Sequence, residues 1–388
     1  MRVVSFQYDR RISAQNALFE MSIGEYLDLT REIIDNNPYQ RRRIASSKTV
    51  YALLREDILR GCVLPPVVLA LTKDIDSPDR IDGETAARYV SENPNHLSIL
   101  DGLQRTYTLR DIEQDLTDSS LAEFRKHTLR VEVYLGLNKI GILYRMLTLN
   151  TGQTPMSLRQ QIEMLYLDYL DVGIEGVKFI REVDGAHATN PGELNFKDTI
   201  DGFTSYLERD ELPLDRSDLL ENIKSLENLS HENAATDLFE EYVRAWLAFY
   251  RRTLEVCDGA EYQPEEDAPE QSVPWGKTAA QIFRKPQAMA GFGAALGKLK
   301  DFDKINSLSD IIREVEGLSL ASEDAIVFIK KINETMNWIN KNTKKIGNAQ
   351  RMFFQFYFRD LFNPESDSYL KLEPSIASAI HKLESQLF

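Results

Sequence analysis

The chain has 388 residues, with 46 Lys and Arg against 61 Asp and Glu, for a formal net charge of −15. Its 43% hydrophobic and 10% aromatic residues can build ordinary packed cores, which excludes wholesale disorder, and the length suits two domains. The acidic balance repels nucleic acid at long range, so any DNA or RNA contact must be a local basic patch.

Two cysteines, Cys62 and Cys257, give neither a disulfide framework nor zinc spacing, and a reducing cytoplasm fits them. The opening MRVVSFQYDRR lacks the apolar core of a signal peptide. No apolar run reaches about 18 residues, so no membrane partner is expected.

In chain order, Val3 to Phe6 reads as a short strand. Ser22 and Glu25 form a capping box, and Leu29, Ile33 and Ile34 carry the helix that follows until Asn36-Asn37-Pro38. Val50, Leu53, Leu54 and Ile58 mark the apolar face of a second helix, which Gly61 stops. Val67 to Leu71 reads as a buried strand. Residues 72 to 96 are polar and turn-rich and read as an excursion. Leu97 to Leu100 returns to strand and runs into Asp101-Gly102-Leu103-Gln104-Arg105, with a helix to about Asp115. Thr128 to Leu135 alternates as a half-buried strand, Ile140 to Leu149 is helical, and Ser157 caps another helix. Beyond about residue 175 helical signals dominate. The stretch Asp258 to Ser272 has six acids, no bases and two prolines, and reads as an exposed loop.

The strand–Asp101-Gly102–helix element carries the chemistry. Glycine lets the backbone turn sharply, and the free N–H groups of the first helical turn form an anion site. Arg105 adds a planar cation suited to phosphate, and Asp101 suits a metal, a water or a cap. Arg105 also shares the inward stripe with Leu109, Ile112 and Leu116, so it must find an anion. Spacing alone leaves two readings open: a phosphate ligand, or a structural Asp–Arg pair that locks the turn.

The segment ILDGLQRTYTL resembles the DGQHR or DGQQR box of the ParB/sulfiredoxin-like superfamily. Asn37-Pro38-Tyr39-Gln40-Arg41 resembles its entry box. Asp57 to Gly61 followed by Leu64 to Val68 resembles a second box. Leu149-Asn150 with Gln153, Pro155 and Arg159 resembles the box where an asparagine meets the nucleotide. These lie in order over residues 37 to 165.

The pattern along the chain gives an α+β fold, with a first domain over residues 1–175 and a mostly α-helical domain over 176–388, and the resemblance implies that the first of these binds a nucleotide. It further implies a bacterial component that binds, senses or hydrolyses an NTP with Mg²⁺, in DNA partition, DNA-modification control or phage defence. Carried over, Gly102 and neighbouring N–H groups cradle phosphates, and Asp101, Gln104 and Arg105 are the catalytic candidates. Asp101 is the metal ligand. Asn150 and Gln153 close the site, and Tyr39, Gln40 and Arg41 line its rim. Position 103 is Leu where the named branches carry Gln or His. The reactive cysteine of sulfiredoxins is missing from the box, so sulfinic acid repair is not carried over. Cys62 reads as a packing residue.

A second feature offers a rival function. Between Lys330 and Arg351 there are six bases and one acid, with Trp338 among them. Lys341, Lys344, Lys345 and Arg351 suit a nucleic-acid backbone, as in a non-catalytic DNA-binding regulator or scaffold. The bland reading is a basic helix docked on an acidic surface. The aromatic run Met352 to Phe358 reads as core or as the interface of a homo-oligomer. The five histidines are scattered, with no zinc or HNH-like arrangement.

Overall fold

A computed structural model describes residues 1–36, 48–72, 75, 77–149, 159, 162–163, 166–167, 169–181, 188, 190–212, 237–264, 274–322 and 324–387. The chain divides into two compact units, Met1–Met156 and Ser157–Phe388, where the sequence reading set the boundary at about residue 175. The architecture is mixed α+β, with the five-stranded sheet in the first unit and a helical second unit.

The sheet runs in the order β1 (Arg2–Asp9), β2 (Ala14–Ser22), β5 (Thr128–Leu135), β3 (Val67–Leu71), β4 (Leu97–Asp101). Strand β5 is the spine. It pairs antiparallel with β2 and parallel with β3, and its Val131 and Val133 are fully buried. The alternation in Thr128 to Leu135 is therefore a real strand. Strand β3 is buried at every position, as its unbroken apolar run requires.

Helices α1 (Ile23–Asn36), α2 (Lys48–Leu59), α3 (Gly83–Glu92), α4 (Leu103–Asp115), α5 (Asp118–Lys126) and α6 (Lys139–Leu149) complete the unit. The expected capping box opens α1: the Ser22 N–H donates to Glu25 at 2.8 Å and the Glu25 N–H to Ser22 Oγ at 3.1 Å. Gly61 follows α2 with a φ of +80°.

Four expectations are corrected. Strand β2 was absent from the sequence reading because its hairpin turn, Arg10 to Ser13, holds no Gly, Asn or Pro; the positive φ falls on Ser13. Residues 72 to 96 hold α3, whose buried residues are Ala86 and Val90, capped by Asp82 accepting from the Thr85 N–H at 2.8 Å. Leu53 is exposed rather than part of the α2 core face, which Leu54 and Ile58 supply. Cys62 is exposed, not packed, because it lies in the exposed stretch that follows α2; the small burial it has and the Asp57 carboxylate hold its thiol above the usual range.

In the second unit, the helices Phe196–Glu208 and Pro286–Asp301 cross closely enough that a Cβ on Gly293 would stand 2.0 Å from the Gly202 carbonyl oxygen. The core is aromatic: Trp246 meets Phe292 at 5.1 Å and Phe249 meets Phe358 at 5.0 Å, both near edge-to-face. Phe353, Phe354, Phe356, Tyr357 and Phe358 are buried, so the aromatic run is core. A short parallel pair, Lys178–Ile180 with Glu193–Asn195, is the strand content of this unit among the described residues.

The pleat of β2 makes a direct prediction. Phe19 is fully buried and its neighbour Leu18 lies on the opposite, half-covered face. Phe19→Ala will cost about 3–5 kcal/mol in urea unfolding and Leu18→Ala about 1 kcal/mol or less. Equal costs would mean β2 does not present alternate residues to the core.

Candidate functional site

Strand β4 ends at Asp101 and the backbone turns into α4 through Gly102, which has a φ of +96°. Only glycine holds that conformation without strain. Space also matters here: a Cβ on Gly102 would meet the Val67 methyls at 3.1 Å and Arg105 Nη2 at 3.2 Å. No side chain caps α4, so the first-turn N–H groups keep their anion-binding capacity.

Arg105 sits where its spacing places it, on the same side as Leu109 and Ile112, both fully buried. Its side chain is 14% exposed. Nη2 forms an ion pair with Asp101 Oδ2, and Nη1 donates to the Pro65 carbonyl at 2.8 Å. The guanidinium thus ties the approach to β3 to the end of β4. Asp101 is 22% exposed and so reaches solvent. Gln104 Oε1 is buried and has no hydrogen-bond donor among the described residues.

Two further side chains shape the turn, and the sequence reading passed over both. Thr106 donates its hydroxyl to the Gly102 carbonyl at 3.0 Å, and the buried Tyr26 hydroxyl lies 2.7 Å from Thr106 Oγ1. Tyr26 comes from α1, 80 residues away, so no local pattern links it to the box.

The structure therefore brings Asp101, Gly102, Gln104 and Arg105 together at one turn. Tyr39, Gln40, Arg41, Asn150 and Gln153 lie outside the described residues, as does most of the acidic loop. Among the described residues no group of three or more His, Cys, Asp or Glu is placed to hold a metal. Asp101 is the carboxylate at this turn among the described residues.

The basic residues cluster separately. Lys341 ends the helix Ala325–Asn342, and Lys344 and Lys345 lead into the helix Ile346–Leu361. All three are exposed, and none has an acidic partner among the described residues. Arg351 is half-buried, with Nη1 turned back to the Gly347 carbonyl at 3.4 Å. No helix among the described residues is long and apolar enough to cross a membrane.

Comparison with protein-family models, with curated proteins and with solved structures finds no match to this chain.

Replacing Gly102 with Ala tests how strictly the turn is built. Strain at positive φ together with the Val67 contact will cost about 1–3 kcal/mol in urea unfolding. An unchanged midpoint would show that the turn does not need glycine.

Proposed function

We propose that this chain is a nucleotide-binding component of a bacterial DNA-modification or anti-phage system, with the β4–α4 turn as its phosphate site. The reading takes the first unit as a ParB/sulfiredoxin-like domain, which its order of boxes and its mixed sheet support. The observation that carries it is the uncapped start of a 13-residue helix, entered through a left-handed glycine and flanked by a guanidinium. The buried Gln104 Oε1 adds an acceptor that still needs a donor, which a ligand hydroxyl or amine supplies.

Arg105 is neutralised by Asp101, and the pair acts as a latch. To meet a phosphate, Arg105 exchanges one anion for another, and no charge is left buried and bare. Asp101 then becomes available to Mg²⁺. Its partial exposure suits that ion, which commonly uses one or two carboxylates and completes its shell with phosphate oxygens and water. Leu103 replaces a polar residue of the family box, so binding and sensing fit the site better than fast hydrolysis.

Calorimetric titration with each NTP, with and without Mg²⁺, tests the reading. One NTP will bind, more tightly with Mg²⁺, and Arg105→Ala will weaken it about 10- to 100-fold, the worth of a charge-assisted hydrogen bond. Circular dichroism of the variant checks that it folds. Absence of NTP binding under both conditions would refute the proposal.

A DNA-binding role through Lys341, Lys344 and Lys345 is favoured by one observation: three exposed cations without acidic partners among the described residues, in a chain of charge −15. Their triple replacement by Ala will flatten the log–log salt dependence of duplex DNA binding by about 2 to 3 units. An unchanged slope would remove the patch from any DNA interface.

A further inference from the structure

Two hydroxyls beneath the turn account for something the surface residues do not: what holds the first N–H of α4 in place. The Gly102 carbonyl accepts from the Thr106 N–H at 2.9 Å and from Thr106 Oγ1 at 3.0 Å. Both of its lone pairs are therefore used, and the plane of the Gly102–Leu103 peptide is set. The N–H on that same peptide belongs to Leu103, the first donor of the anion site. A hydroxyl has a single proton, and Thr106 gives its own to Gly102. The 2.7 Å contact with Tyr26 must then be a donation from the Tyr26 hydroxyl to Thr106 Oγ1. Tyr26 is fully buried, and its own carbonyl accepts from Thr30 Oγ1 at 2.8 Å.

We infer that Tyr26 and Thr106 are positioning residues for the phosphate site, a buried relay that runs from α1 through Thr106 to the Gly102 carbonyl and aims the Leu103 N–H. The inference rests on the nucleotide-binding reading and deepens it. It assigns control of affinity to a phenol that never touches the ligand. Neither hydroxyl reaches solvent, so neither contacts a phosphate directly. The relay also keeps its direction across the physiological range, because burial pushes the Tyr26 phenol well above its ordinary value and it remains a donor.

A simple packing role makes a different prediction from a positioning role. Tyr26→Phe keeps the ring and removes the donor; Thr106→Val removes both links at nearly constant shape; Thr106→Ser restores them. The full chain of each variant is measured twice. The first measurement is hydrogen exchange without nucleotide at position 106, whose N–H bonds to the Gly102 carbonyl, read against exchange in strand β5. The second is the Kd for the NTP that the wild type binds, with Mg²⁺.

Tyr26→Phe and Thr106→Val will speed exchange at position 106 about tenfold, after correction for the side chain's effect on the intrinsic rate, while β5 is unchanged, and will raise Kd about 5- to 10-fold. Thr106→Ser will return both readouts to wild-type values. Faster exchange in β5 as well would mean general loosening and would overturn the inference, as would unchanged exchange at position 106. Should the wild type bind no NTP, the nucleotide reading fails, and the exchange arm alone still decides whether the relay holds the turn. Should the wild type bind and Tyr26→Phe bind equally well, the relay fails as a determinant of affinity and the nucleotide reading stands.

Discussion

A guanidinium taken out of water must be neutralised, and the first unit is arranged around meeting that demand for Arg105. The side chain is 14% exposed, paired with Asp101 and hydrogen-bonded to the Pro65 carbonyl. Each partner lies at a strand end, so one side chain fixes the approach to β3 and the exit of β4 together. Removal of either charge alone would leave its partner in a poorly solvated place, which is costly. The same geometry gives the turn its chemical interest. A charge pair stands at the uncapped start of a helix, where free first-turn N–H groups favour negative charge.

The rest of the first unit serves that turn. Strand β5 joins the β1–β2 hairpin to β3, so the sheet carrying Asp101 is continuous with the most buried strands. Helix α1 enters through its capping box and delivers Tyr26 beneath Thr106. Val67, the first residue of β3, packs where a Cβ on Gly102 would stand. The glycine is thus required twice, by its left-handed φ and by the methyls facing it. The second unit is built on other terms, with close glycine-mediated helix crossing and a core of interlocked aromatic rings. Its exposed lysines sit at one helix–turn–helix corner, remote in sequence from the box.

Local signals in the sequence were strong where one physical rule dominates. The Ser22–Glu25 box, the unbroken apolar run of β3, the alternation of β5 and the Asp101-Gly102 turn all follow from such rules, and all are present. Strand β2 was missed because its turn uses Ser13 at positive φ, where glycine or asparagine is the usual mark. Helix α3 was missed because Ala86 and Val90 are the buried residues on its face, too few for a helical stripe to stand out. The site divides in the same way. Arg105 was legible from its place on an inward stripe, and its pairing with Asp101 was one of the two readings that spacing left open; the Pro65 carbonyl carried no signal. Asp101 and the Pro65 carbonyl are the partners, and the latter lies 40 residues away in sequence. Tyr26 carried no signal, because a buried tyrosine on an amphipathic helix reads as core until its hydroxyl is seen to meet another.

The most direct test is a crystal structure of the full chain with Mg²⁺ and a non-hydrolysable form of whichever NTP binds. The account predicts phosphate oxygens on the first-turn N–H groups of α4, with the Arg105 guanidinium moved from Asp101 to the phosphate. A nucleotide bound elsewhere, with Arg105 still shared between Asp101 and Pro65, would contradict it and leave the pair as a structural lock.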